Sequence, residues 1–215
     1  MSDYHLYLIG NTTILKVIVL QSFDDDNYLT NSFLIAMPTL ADPNFFQSVV
    51  LICQHSEEGA MGITINRPTD ISLREILIHL EILNKNKQTE KNLSAIPIYI
   101  GGPLQRERGF VVHESRFDMT FENSAIISES MTITSSKDIL QAIADDKGPE
   151  KTFAALGYSA WAPGQLEEEL ANNSWLSAPV TDEILFNTKD EDKWRAAAEM
   201  IGVDINLLSS ETGHG

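Results

Sequence analysis

Val49-Val50-Leu51-Ile52-Cys53 sets five apolar residues in a row with no polar break. Such a run fits a strand buried on both faces, so the chain has to supply cover on two sides. The punctuation around it is dense. Phe33-Leu34-Ile35-Ala36-Met37 reads as a strand stopped by Pro38, and Asp42-Pro43-Asn44 has turn chemistry. Glu57-Glu58-Gly59 turns the chain, and Ala60 to Asn66 returns as an antiparallel partner ended by Arg67-Pro68. Further strands are expected at 96–100, 109–113, 125–127, 131–134 and 152–158, with short ones at Trp175-Leu176 and Ile184-Leu185-Phe186.

Helices fall between these strands. Ser72 and Glu75 form a capping box, and Leu73, Ile76, Leu77 and Leu80 follow on one face. Residues 84–92 are polar and Lys-rich, which predicts a solvated loop. Ser135 with Asp138 is expected to cap a helix running to about Ala144, stopped by Asp146-Lys147-Gly148-Pro149. Pro163-Gly164 is expected to open another, with Pro in its first turn, Glu167-Glu168-Glu169 complementing the helix dipole, and Asn172-Asn173 closing it. Thr188 with Glu191 should cap the last helix, with Trp194, Ala197, Ala198 and Ile201 on its apolar face and Gly202 as its stop. Runs of strands with intercalated helices predict an α+β fold, a mixed β-sheet with flanking helices.

Composition narrows the function classes. The 215 residues are 43% hydrophobic and 21% charged, the balance of a globular chain rather than a disordered one. Lys and Arg number 15 against 31 acids, a net charge of -16, which argues against a protein that coats nucleic acid. The lone Cys53 excludes an internal disulfide and a Cys-rich zinc site. No apolar run approaches the roughly 18 residues that span a bilayer, so no membrane role is expected. Residues 1–27 stand apart. Ile14 to Leu20 is apolar but short, is interrupted by Lys16, and is followed by Asp24-Asp25-Asp26 rather than a cleavage site. They read as an N-terminal extension, as an added strand or as a mis-assigned start, with 28–215 as a single domain in the cytoplasm.

The residues that offer chemistry are few. Gly101-Gly102-Pro103-Leu104-Gln105-Arg106-Glu107-Arg108-Gly109 follows a strand and pairs flexible backbone with two guanidiniums. Consecutive glycines can present N–H groups to an oxyanion, and Arg adds a fork of donors. The spacing is neither a Walker loop nor a dinucleotide fingerprint, and a plain tight turn with solvated Arg side chains is the competing reading. Asn66 and Arg67, at a strand end, are candidates to join the same anion site; otherwise Asn66 bonds its own turn and Arg67 meets a surface carboxylate. Gly62 marks a bulge or a close approach of another backbone. His55 and His113 are acid/base candidates, with Glu57, Glu58, Glu114 or Asp118 as partners, but no metal-ligand spacing surrounds them. Cys53 and His55 would share one strand face as a nucleophile pair, though Cys in an apolar run is more often inert core. Gly157-Tyr158-Ser159-Ala160-Trp161 lacks the Gly-x-Ser-x-Gly pattern and reads as a strand-to-helix corner anchored by Trp161. No catalytic motif, cofactor or metal site is assigned.

Taken in order, these segments resemble the AlgH/YqgE family of bacterial proteins. The resemblance rests on Met37-Pro38 with Asp42 and Phe45 or Phe46, then Gly59-Ala60-Met61-Gly62 through Asn66-Arg67-Pro68, and Gly101-Gly102-Pro103. It continues with Gly109 through His113, Gly157-Tyr158-Ser159-Ala160-Trp161, Pro163-Gly164-Gln165-Leu166-Glu167, Asn173, Trp175-Leu176, Trp194 and Gly213-His214. It covers about residues 29–215, whereas family members usually start near Asn31. The resemblance implies an α+β cytosolic protein. It carries an association with transcriptional control of exopolysaccharide production, and no catalytic residues. No helix-turn-helix is visible, and the charge opposes tight DNA binding. The expected function is therefore a non-enzymatic regulatory or interaction protein with a small anionic ligand or a protein partner. The alternative is an enzyme acting on a phosphorylated or nucleotide-like substrate.

Overall fold

The computed structural model describes residues 28–205. The expectations placed on residues 1–27, on His5 and on Gly213-His214 lie outside the described residues. Among the described residues ten strands join in the order β10 (Trp175–Pro179), β1 (Ser32–Ala36), β2 (Val49–Ser56), β3 (Gly59–Thr64), β9 (Thr152–Trp161), β6 (Leu104–Glu114), β8 (Met131–Thr134) and β7 (Ser124–Ser128), with β5 (Pro97–Ile100) beside β9 and β4 (Pro68–Ser72) beside β5. The sheet is α+β as expected and mostly antiparallel; β5 (Pro97–Ile100) against β9 (Thr152–Trp161) is its parallel pair among the described residues.

Alternation along β2 (Val49–Ser56) explains the unbroken apolar run. Val49, Leu51 and Cys53 enter the main core cluster, whereas Val50 and Ile52 join a second cluster with Trp161, Leu166 and Trp175. A third cluster packs α1 (Leu73–His79) and α2 (Lys137–Ala144) against Ile98, Val111 and Ala154. β1 (Ser32–Ala36) and β3 (Gly59–Thr64) flank β2, and β10 (Trp175–Pro179) closes that edge.

β9 is the hub. Its first half pairs with β6 (Leu104–Glu114) on one side and with β5 on the other; its second half pairs with β3. Three strands can share it because glycines let backbones come close. A Cβ on Gly102 would lie 2.1 Å from the carbonyl carbon of Tyr158, and one on Gly62 would meet Val50 at 2.7 Å. The ladder between β6 and β9 slips between Leu104 and Gly109, where Gln105 turns to positive φ.

Local signals fared unevenly. The Ser72–Glu75 capping box forms in full and starts α1. Pro68–Ser72 adds a strand, β4, where the sequence offered only a stop at Arg67-Pro68. β9 continues through Trp161, so Gly157 to Trp161 is strand and not a corner. α2 begins after Ser136 rather than Ser135, whose hydroxyl accepts from the Arg108 guanidinium. Gly164, at φ 77°, is the N-cap of α3 (Gln165–Ala171), and Pro163 precedes it. Glu183–Asn187 is a π-helical turn, not a strand; the Thr181 carbonyl and hydroxyl receive its first amides. Lys189 precedes α4 (Asp190–Met200), while the Thr188 hydroxyl donates back to the Glu183 carbonyl.

α4 also buries a cation that the sequence left unremarked. Lys193 is 2% exposed among core residues. Its Nζ donates to the Ile65 carbonyl at 2.9 Å, pairs with Asp190 at 2.8 Å and lies over the Tyr99 and Phe153 rings. Burial holds Lys193 below the usual ammonium range, against the pull of Asp190. Burial, then the Asp190 charge and hydrogen bond, push the Tyr99 phenol up.

Two outcomes are expected in urea unfolding. Gly102→Ala costs about 3 kcal/mol or more, since rigid backbone blocks the new methyl. Gly109→Ala stays within about 1 kcal/mol, because its nearest neighbour is a Leu156 methyl at 3.9 Å. Removing one partner of the buried pair is also asymmetric: Asp190→Ala costs about 3 kcal/mol and Lys193→Met well under half of that. Equal losses for Asp190→Ala and Lys193→Met would contradict the buried-pair account.

Candidate functional site

The end of β3, the end of β5, the start of β6 and the β1–β2 loop converge on one pocket of about 150 Å³. Pro43, Asn44, Thr64, Arg67, Ile100, Gly102, Pro103 and Arg106 line it. Three of the sequence candidates, Arg67, Gly102 and Arg106, therefore meet there from two separate stretches of chain.

The others are placed elsewhere. The Gly101 N–H donates to the Leu156 carbonyl, and its carbonyl accepts from the Thr64 N–H, both at 2.8 Å. Its backbone is committed to the sheet and has no donor left for an anion. Arg108 diverges from Arg106: its guanidinium reaches the Ser135 hydroxyl and lies 5.1 Å from the centre of the Phe110 ring. The slipped register before Gly109 separates the two. Asn66 does not bond its own turn. Its carbonyl oxygen accepts from the Val49 N–H, and its amide donates to the Gln47 carbonyl.

Among the described residues Arg67 meets no surface carboxylate. Its Nη2 donates to the Phe46 carbonyl at 2.6 Å, while its Nε is buried without a partner. Asn66 and Arg67 thus hold the far end of the β1–β2 loop, whose Pro43 and Asn44 form one pocket wall. Phe45 anchors the same loop, 5.2 Å edge-on to Trp175 and stacked 6.3 Å from Trp161. Both indole N–H groups donate to one Glu169 oxygen, at 2.9 and 2.7 Å.

Arg106 is exposed and makes no hydrogen bond or ion pair among the described residues. Among the described residues, the buried side-chain atoms left without a partner are Ser48 Oγ, Ser159 Oγ and Arg67 Nε. Ser159 pairs with Gly62 two residues before Thr64, and its backbone abuts Gly102. Ser48 adjoins Val49, whose amide Asn66 holds. Unsatisfied polar atoms are uncommon in folded proteins, and one of these three, Arg67 Nε, belongs to a residue that lines the pocket.

Among the described residues neither His55 nor His113 hydrogen-bonds an expected carboxylate, although the Glu114 charge acts on His113. His55 Nδ1 accepts from the Leu29 N–H, so Nε2 carries the proton and donates to Glu167 at 2.9 Å. A register shift between Ile52 and Gln54 places His55 towards α3, while Cys53 stays in the main core; the two do not share a face. Burial pushes the Cys53 thiol well above its ordinary range, leaving it a poor nucleophile. His113 uses Nδ1 on the Glu114 backbone carbonyl and Nε2 on the Thr134 hydroxyl. Burial, outweighing those favourable contacts, lowers its pKa below the ordinary 6.5. No group of three or more His, Cys, Asp or Glu suited to a metal occurs among the described residues.

Pro43, Asn44, Thr64, Ile100 and Pro103 were not singled out from the sequence as site residues. Asp42-Pro43-Asn44 carried a turn signal only, and an isoleucine at a strand end carries none.

A folded-state pKa below 6.5 means that the unfolded chain binds the His113 proton first, so stability falls as pH drops below about 6.5. Urea midpoints measured between about pH 7 and pH 5.5 should decline, and His113→Asn, which keeps a donor for the Glu114 carbonyl, should flatten that decline. An unchanged slope in the variant would show that His113 is not its source.

Comparison with known proteins places this geometry among relatives. The family model described as DUF179, AlgH-like, matches residues 33–206. A UPF0301 protein of Thioalkalivibrio sulfidiphilus is 48% identical over 185 residues, covering 86% of this chain and 96% of its own. One from Nitrosococcus oceani is 46% identical over 187 residues, covering 87% and 97%. The solution structure of the AlgH protein from Pseudomonas aeruginosa superposes with a TM-score of 0.69 at 42% identity, covering 90% of this chain and 100% of that one. A crystal structure from Corynebacterium diphtheriae, at 21% identity and TM-score 0.64, covering 85% and 92%, shares the fold.

Proposed function

The chain belongs to the AlgH-like family, and from that premise we propose a non-enzymatic regulatory or interaction protein of the cytoplasm that binds a small anionic ligand between Arg67 and Arg106. One observation carries the reading. In a chain with twice as many acids as bases, the Arg106 side chain has no partner among the described residues, nor has the buried Nε of Arg67, and none of the described residues that line their pocket is a carboxylate. Uncompensated guanidinium donors in a concave site favour an oxyanion. The two histidines offer no competing acid/base pair, because both nitrogens of each ring are already engaged. Ligand occupancy would tie the β1–β2 loop to the β5–β6 junction, since Asn44 and Arg106 stand on separate elements of the same pocket. That gives a regulatory protein a surface that changes with ligand. The overall charge opposes direct duplex binding, so the regulatory partner is expected to be a protein.

A thermal-shift screen of nucleotides, phosphorylated metabolites and simple oxyanions tests this. A ligand at a hundredfold excess over its Kd stabilises by about 2.7 kcal/mol. The shift should vanish in Arg106→Ala, which disturbs no hydrogen bond of the fold, while the unliganded midpoint stays unchanged. A shift that survives in Arg106→Ala would place the ligand elsewhere.

A further inference from the structure

We infer that the ligand is an organic phosphomonoester, its phosphate held between Arg67 and Arg106 and its apolar or aromatic body resting outside on Pro43, Ile100 and Pro103. The inference rests on the anion-site reading above and adds the chemical class.

Size is the first constraint. Pockets that enclose a whole small molecule run to roughly 300–1,000 Å³. This one offers about 150 Å³, enough for a head group and little else. The second constraint is donor geometry. Arg67 lines the pocket with its guanidinium already fixed: Nη2 donates to the Phe46 carbonyl and Nε is buried without a partner. Arg106 brings a full fork from a different strand. Thr64 lines the same pocket, and its hydroxyl makes no hydrogen bond among the described residues. Donors from separate elements suit a tetrahedral phosphate with three terminal oxygens; a carboxylate offers two oxygens in one plane.

The third constraint is the rim. Ile100 is 42% exposed although it ends a core strand, and two prolines share the lining with it. An apolar side chain left open beside two cations fits a ligand that is charged at one end and apolar at the other. Inorganic phosphate would use only the cationic half.

Calorimetric titration of the full chain with phenyl phosphate, inorganic phosphate and benzoate separates the possibilities. Phenyl phosphate is expected to bind about tenfold more tightly than inorganic phosphate, the scale of burying a modest apolar area. Benzoate, with the same ring but a planar head, should bind more weakly than phenyl phosphate. Ile100→Ser should remove the phenyl increment and leave inorganic phosphate binding intact; circular dichroism and the melting midpoint verify that the variant folds. Equal affinities for phenyl phosphate and inorganic phosphate, or an increment that survives Ile100→Ser, would overturn the apolar body. Tighter binding of benzoate would overturn the phosphate head. Either result leaves the anion site standing. No binding by any of the three would overturn that site as well.

Discussion

Gly101 is the joint on which the rest of the structure depends. Its carbonyl accepts from Thr64 on β3, and its N–H donates to Leu156 on β9, both at 2.8 Å. One residue therefore ties three strands at the point where the sheet would otherwise split. The contact works only because no Cβ intervenes: a methyl on Gly101 would lie 2.4 Å from the Gly157 carbonyl oxygen. With β5 wedged in this way, the strand ends of β3 and β5 and the start of β6 come to one place. The pocket is a consequence of that wedge.

Charge then gives the pocket its character. Acids outnumber bases two to one along the chain, yet the cations are not spread to match. Lys193 is consumed inside the core by Asp190 and a backbone carbonyl, and Arg108 by Ser135 and a ring. Arg67 serves two ends at once. Its Nη2 fastens the β1–β2 loop, and the same residue lines the pocket that the loop helps to enclose. Loop and site are thus mechanically joined: what happens at the pocket is felt at Phe46, one residue from the Phe45 anchor between Trp161 and Trp175.

The aromatic anchor shows how a small sheet protein stabilises a loop without a disulfide. Two indole N–H groups converge on one carboxylate oxygen of Glu169, and Gln165 donates to its other oxygen. Charge-assisted bonds of this kind are stronger than neutral ones and fix ring orientation. Phe45 can then dock against a surface already set. The sequence pattern Trp161–Pro163-Gly164-Gln165–Glu169–Trp175 is this device laid out along the chain, though nothing in the spacing alone shows that both rings share one acceptor.

What the sequence determined by itself was local. The unbroken run at 49–53 required a strand covered on both sides, the Ser72–Glu75 box started α1, Gly202 stopped α4, and Gly62 signalled a close approach. Such features depend on neighbours within a few residues, or on a volume that only glycine leaves free. Tertiary structure decided the rest. Whether residues 183–187 became strand or π-helical turn depended on packing against α4 and not on apolar content. Arg106 and Arg108 look equivalent in sequence, and only the slipped ladder against β9 sends one to the pocket and the other to Ser135. Arg67 and Arg106 are far apart along the chain and share a site because β9 accepts neighbours on both edges. That pairing is a long-range hydrogen-bond choice, made by glycines that permit it, and no periodicity in the sequence encodes it.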